Sequence, residues 1–199
     1  MKKQNLVLSL KMAAGVTLTA ALRTVWAFAA GFTKPNTYTE GLFTDVPAAE
    51  WYATEVANAY ELGLVAGAGE GLYQPDGNVT VAEAITMAAR AAAIYAGETI
   101  DTSASGEWYT PYVNYAVSKG FVAEGQFDNY DRPAKRYELA LIFEGAMPDG
   151  YFTAKNDVAE IPDVDESLPY QAQLMTLYKA GVVMGSDSYG NFRPEDNIT

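Results

Sequence analysis

Arg136 is the residue in this chain best equipped for recognition chemistry. It sits in "AKRYE", Ala134 to Glu138, next to Lys135 and at the head of a helical pattern. A guanidinium presents paired, coplanar donors that fit a carboxylate, and helix N-terminal amides add positive potential nearby. The same sequence also allows a plain reading, a solvated charge paired with Glu138 or Asp131. Trp51 and Trp108, each inside an "EWY" triplet, could offer ring faces to a sugar, although a Trp in an amphipathic helix more commonly packs in a core.

Other chemistries are excluded by composition or lack a focus. The 199 residues contain no Cys and no His, which removes disulfides, thiolate zinc sites, Cys nucleophiles, imidazole bases and any Ser-His-Asp triad. The acidic stretches "DVDES" (Asp163 to Ser167) and "SDSYGN" (Ser186 to Asn191) carry oxygen ligands, but neither follows the twelve-residue calcium loop that ends in a bidentate Glu, so no metal site is expected. A glycosidase needs two carboxylates in contrasting settings, and none of the 25 acidic residues is singled out in that way. We therefore expect no catalysis and no cofactor. With 13 basic residues against those 25, a net charge of −12, the surface repels polyanions and excludes nucleic acid as a partner.

The elements that must position these residues emerge when the chain is laid on itself. "EWYATEVANAYELGLVAG" from Glu50 aligns with "EWYTPYVNYAVSKGFVAEG" from Glu107, and more loosely with "LPYQAQLMTLYKAGVVMG" from Leu168, which lacks the Trp. Gly63, Gly120 and Gly181 recur at intervals of 57 and 61 residues, each placed to end a helix in the left-handed conformation. In the first copy a loop then leads to "TVAE", Thr80 to Glu83, a capping box that predicts a second helix from Val81 to Ala96, closed by Gly97. The second copy predicts helices over 109–119 and 136–146. "YQPDGNVT" (Tyr73 to Thr80) aligns without a gap on "FRPEDNIT" (Phe192 to Thr199), so the third copy is expected to break off at its helix cap. A capping Glu would fall three residues further on, with a helix behind it.

At the N-terminus, Lys2 and Lys3, the charge-free run from Met12 to Leu22, and "AFA" at Ala27 to Ala29 predict a secretory signal peptide over residues 1–29, followed by a linker over 30–42. A retained anchor is the alternative, but the uncharged run falls short of the ~20 residues needed to span a bilayer. Cleavage would remove four basic residues and no acidic one, leaving a net charge of −16 and no membrane span.

"FTDV" (Phe43 to Val46), "IPDV" (Ile161 to Val164), the Trp-led helix, the Gly-apolar-x-Gly turn, the Pro-containing lead-in and the Thr-x-x-Glu box together resemble the S-layer homology domain family. The resemblance implies an all-α fold of tandem helix-loop-helix repeats, at 43–98, 99–160 and a truncated 161–199, packed as a pseudo-trimer. It also implies a secreted module of the cell wall or S-layer that binds anionic, pyruvylated secondary cell wall polysaccharide. The family's ligand-binding Arg, in Thr-Arg-Ala-Glu, carries over to Arg136; Val81 stands there in the first repeat, and Lys135 replaces the capping Thr in the second. Ligand contact is thus expected at Arg136 and Lys135, with Trp51 and Trp108 lining the groove and Gly67 and Gly125 letting backbone approach the sugar. The opening Asp carries over to Asp45, Asp163 and loosely Asp101, in structural roles. Two other readings stay open: a structural lattice protein that self-associates, and the anchor of an envelope hydrolase.

Overall fold

Capping chemistry marks several of the helix ends in this chain. The computed structural model describes residues 33–199 and contains α1 (Ala53–Glu61), α2 (Val81–Ala96), α3 (Thr110–Lys119), α4 (Arg136–Gly145) and α5 (Gln171–Ala180). Strand-like pairing among the described residues is limited to isolated bridges, Gly69 with Leu72, Thr80 with Pro133 and Lys135 with Asn197. The all-α expectation holds. The leader expected over residues 1–29 and the start of the linker lie outside the described residues.

The predicted capping box forms: Thr80 Oγ1 accepts from the Glu83 amide at 3.2 Å, and the Glu83 carboxylate accepts from the Thr80 amide at 2.8 Å. Gly97, Gly120 and Gly181 end α2, α3 and α5 with φ of +67°, +81° and +72°, the conformation only Gly adopts without strain. The start of α4 is different. An ammonium has no lone pair, so Lys135 cannot cap as Thr80 does. Half the box survives, with Glu138 accepting from the Lys135 amide at 2.9 Å, and Arg132 adds two further contacts to that carboxylate, at 2.8 and 2.6 Å. Glu138 is 7% exposed, so this is a bidentate ion pair largely shielded from water.

Each second helix also leans on the stretch that follows it. We call 43–98, 99–160 and 161–199 the first, second and third segments. The Val81 and Ala82 amides at the head of α2 donate to the Arg132 and Tyr130 carbonyls at 3.0 and 2.9 Å. Arg136 and Tyr137 at the head of α4 donate to the Asp196 and Pro194 carbonyls at 2.9 and 3.1 Å. Helix-start amides have no partner inside their own helix, so these contacts fill a standing need. Ala134 N donates to Val79 O, and Val79 N to Ile198 O, both at 2.8 Å. The lead-ins of all three segments thus meet.

Two loops are held open in an uncommon conformation to make this geometry. Gln74 and Arg193 have φ of +63° and +55°. Asp45 accepts from the Tyr73 and Gln74 amides at 2.8 and 2.7 Å, and Asp163 from the Phe192 and Arg193 amides at 2.7 and 2.6 Å. The structural role expected of the opening Asp therefore holds in both places. Asp101 instead accepts from the Ser103 amide two residues on.

The core gathers around α2. Small Ala side chains let it pack against both α3 and α4, while α4 packs against α5. Val81, Ile85, Ala116, Val122 and Ile142 form the fully buried centre. A second cluster joins Ala140 to Leu174, Leu177 and Phe192, and α1 keeps a smaller one with Phe43, Val46 and Val56.

The Arg132–Glu138 pair makes stability depend on pH in a defined direction. Burial pushes the Glu138 carboxyl up, but the Arg132 guanidinium and the Lys135 amide outweigh it and hold it below the ordinary Glu value. The unfolded chain therefore takes up this proton first as the solution is acidified, and the stabilisation present at neutral pH disappears as pH falls through the carboxylate range. Glu138→Gln should cost about 1–3 kcal/mol at pH 7, measured by urea unfolding. The gap to the parent should narrow at about pH 3.5. An equal gap at both pH values would refute the ion pair as its source.

Candidate functional site

Arg136, the first residue of α4, reaches across to the third segment. Its Nε donates to the Phe192 carbonyl at 2.8 Å and Nη2 to the Met184 carbonyl at 3.4 Å, while the guanidinium lies 4.6 Å from the centre of the Phe192 ring. Among the described residues Arg136 forms no ion pair; Glu138 is occupied by Arg132. The surface pairing that the sequence allowed, with Glu138 or Asp131, is not the arrangement found. Nη1 makes no hydrogen bond among the described residues.

Around Arg136 opens a groove of about 620 Å³ between α4 and the turn that follows α5. Leu139, Phe143, Val183 and Ile198 form an apolar floor, and Met184, Gly185 and Ser186 lie at the side where Arg136 stands. No carboxylate of the described residues lines it. In a chain of net charge −12, a part-buried guanidinium without a counter-ion is a local positive centre, and the apolar lining strengthens its field. The groove suits a ligand with one anionic group and an apolar or weakly polar body.

Lys135 belongs elsewhere. It lines a separate depression of about 400 Å³ with Arg132, Tyr137, Glu138, Glu195 and Asn197, and its Nζ is 3.4 Å from Asn197 Oδ1. Two carboxylates offset the two cations there, so this depression holds an anion less well than the groove at Arg136.

Trp51 and Trp108 occupy matching local settings. Each indole meets the ring of the next residue, Tyr52 or Tyr109, edge to face at 5.6 Å, with interplanar angles of 84° and 83°. They are 86% and 55% exposed. Burial, the usual fate of a Trp on an amphipathic helix, does not hold them, and both rings are accessible. Neither lines either depression.

The two turn glycines differ in kind. At Gly67, with φ of +83°, an added Cβ would lie 2.5 Å from Phe43 Cε1 and 2.8 Å from the Leu72 carbonyl, so the missing side chain makes room for Phe43. Gly125, with φ of +69°, has nothing within 4 Å of that position and faces open space. Sequence reasoning missed Arg132, whose only signal was an Arg three residues before an uncappable Lys, and the groove itself, whose lining comes from separate stretches of chain.

No helix among the described residues is long and apolar enough to cross a membrane. Residues 42–85 and 160–199 match the S-layer homology domain; the intervening stretch that carries Arg136 is not part of the match. The "S-layer protein sap" of Bacillus anthracis and an "S-layer protein" of Bacillus thuringiensis subsp. finitimus are each 32% identical to this chain over 128 residues, covering 63% of it. The chain spans 15% of the length of each of these relatives.

The two glycines are told apart by what a side chain would cost at each. Gly125→Ala should cost about 1 kcal/mol, the penalty of a side chain in left-handed backbone. Gly67→Ala adds a collision with Phe43 and should cost about 2 kcal/mol or more by urea unfolding. Equal costs would refute the role assigned to Gly67.

Proposed function

We propose that this chain is a non-catalytic module that attaches its parent protein to the cell surface by binding an anionic, pyruvylated secondary cell wall polysaccharide. The observation that carries this reading is the Arg136 guanidinium, which has no counter-ion in a groove free of carboxylates. A pyruvyl ketal supplies one carboxylate on an otherwise neutral sugar, which fits one cation beside an apolar wall. The match to the S-layer homology domain, and relatives that are themselves called S-layer proteins, support a cell-surface anchoring or S-layer role. An envelope location and an exported precursor are part of the same proposal.

In this reading the three segments are successive repeats closed about a common axis as a pseudo-trimer. Its support is the meeting of the lead-ins through Val79, Ala134 and Ile198. Exposed Trp51 and Trp108 serve as stacking faces for further sugars, Lys135 adds a second and weaker cation, and Gly125 leaves its turn open to a chain lying across it. A structural lattice role is the second reading. It is favoured by the exposed Val182, Met184 and Tyr189 of the third segment, which a neighbouring molecule would cover.

A charge-assisted contact is worth about 1.5–3 kcal/mol, so Arg136→Ala should weaken binding to purified wall polymer by about ten- to a hundredfold. Arg136→Lys should recover only part of the loss, because an ammonium cannot reproduce the planar fork. Removing the polymer's acidic substituents should erase the difference between parent and mutant. Because Arg136 also holds the Phe192 carbonyl, circular dichroism must show both variants folded. A folded Arg136→Ala protein that sediments with cell walls as well as its parent does would exclude this site.

A further inference from the structure

The three segments open in one register, but the second lacks the clasp that fastens the other two. Phe43, Ile100 and Ile161 stand eight residues before Trp51, Trp108 and Pro169, so Asp45 and Asp163 fall on Thr102, and Val46 and Val164 on Ser103. Asp45 and Asp163 each hold two amides of their own segment's lead-in, and Val46 and Val164 are buried beside them. Thr102 has no carboxylate to offer, and Ser103 is exposed. The receiving half of the clasp is missing as well: Gln74 and Arg193 have left-handed backbone, whereas no residue over 126–135 does.

Residues 101–108 are in consequence eight consecutive exposed positions, the longest such run among the described residues. From Thr99 to Gly106 the backbone makes one hydrogen bond, from the Ser103 amide to the Asp101 carboxylate of the same loop at 2.9 Å, and none that ties the loop to the rest of the fold among the described residues. The next longest exposed run, 66–71, is held: Ala68 donates to the Leu72 carbonyl and Thr44 to the Gly71 carbonyl, both at 2.8 Å. An endoprotease must draw extended backbone into its cleft, so how firmly that backbone is held decides cutting more than exposure alone. Here nothing holds it, and Thr102 to Gly106 are all small and uncharged.

We propose that 101–107 is a processing site, cut by an endoprotease that accepts small, uncharged side chains. The protease adds water across one peptide bond, which leaves a carboxylate on one piece and an amine on the other. α1 and α2 stay on the first piece, and α3, α4 and α5 on the second. Because α2 packs against both α3 and α4 and its head donates to the Tyr130 and Arg132 carbonyls, the cut chain remains one body. Cleavage thus frees the end that leads into Trp108 without parting the segments, whatever the chain binds.

The test is brief digestion of the full chain with subtilisin, the cuts within 33–199 being mapped by mass spectrometry. The first should fall in 101–107, about tenfold or more ahead of any in the clasped counterparts 44–50 and 162–168. A first cut elsewhere in 33–199 would overturn the proposal. Asp45→Ala removes the clasp of the first segment and should speed cutting in 44–50 by about tenfold in a protein that circular dichroism shows folded; Asp163→Ala does the same for 162–168 if the first variant fails to fold. An unchanged rate in a folded variant would show that the clasp is not what protects these loops, and the reason given for 101–107 would fall. After the cut, the two pieces should elute together in size-exclusion chromatography at the volume of the intact chain. Separate elution would refute the single body.

Discussion

The first amides of an α-helix must find acceptors outside it, and here the acceptors come from the next segment of chain. The head of α2 uses Tyr130 and Arg132, and the head of α4 uses Pro194 and Asp196. Most other features serve this exchange. Asp45 and Asp163 hold Gln74 and Arg193 in left-handed backbone so that the lead-ins turn inward. Ala-rich α2 is slim enough for two helices to approach it, which brings the lead-ins within bonding distance. Single segments bury little on their own, and the contacts between them make one body.

Arg136 is placed by the same exchange. Its amide completes the head of α4 on Asp196, and its side chain continues in that direction to Phe192 and Met184. A position whose backbone docks on the neighbouring segment necessarily sends its side chain into the seam between the two. In the first segment that position is Val81, fully buried in the core, so the seam there is sealed. The same position is apolar and buried in the first segment and charged at the edge of a groove in the second.

Local chemistry was legible in the sequence. The Thr80 to Glu83 box, the glycine stops and the starts of α2 and α4 follow from residue types a few positions apart, and they appear where the spacing puts them. The site was less legible. Arg136 stood out by charge and by resemblance, but its partners are 48 and 56 residues away and nothing local points to them. Trp51 and Trp108 carry the same triplet that a packed Trp would, and only tertiary context leaves them in water. The turn at Gly67 is readable from the sequence pattern, whereas the Phe43 ring lying against it is not.

Capping by a later segment also sets an order in time. As the chain emerges from its N-terminus, α2 is complete well before the carbonyls that satisfy its head exist, since those lie on the order of fifty residues downstream. Until they arrive, the nascent helix has an unsatisfied end and a largely apolar surface without its cover. Docking of the head of α2 therefore waits until about one further segment of chain has been made.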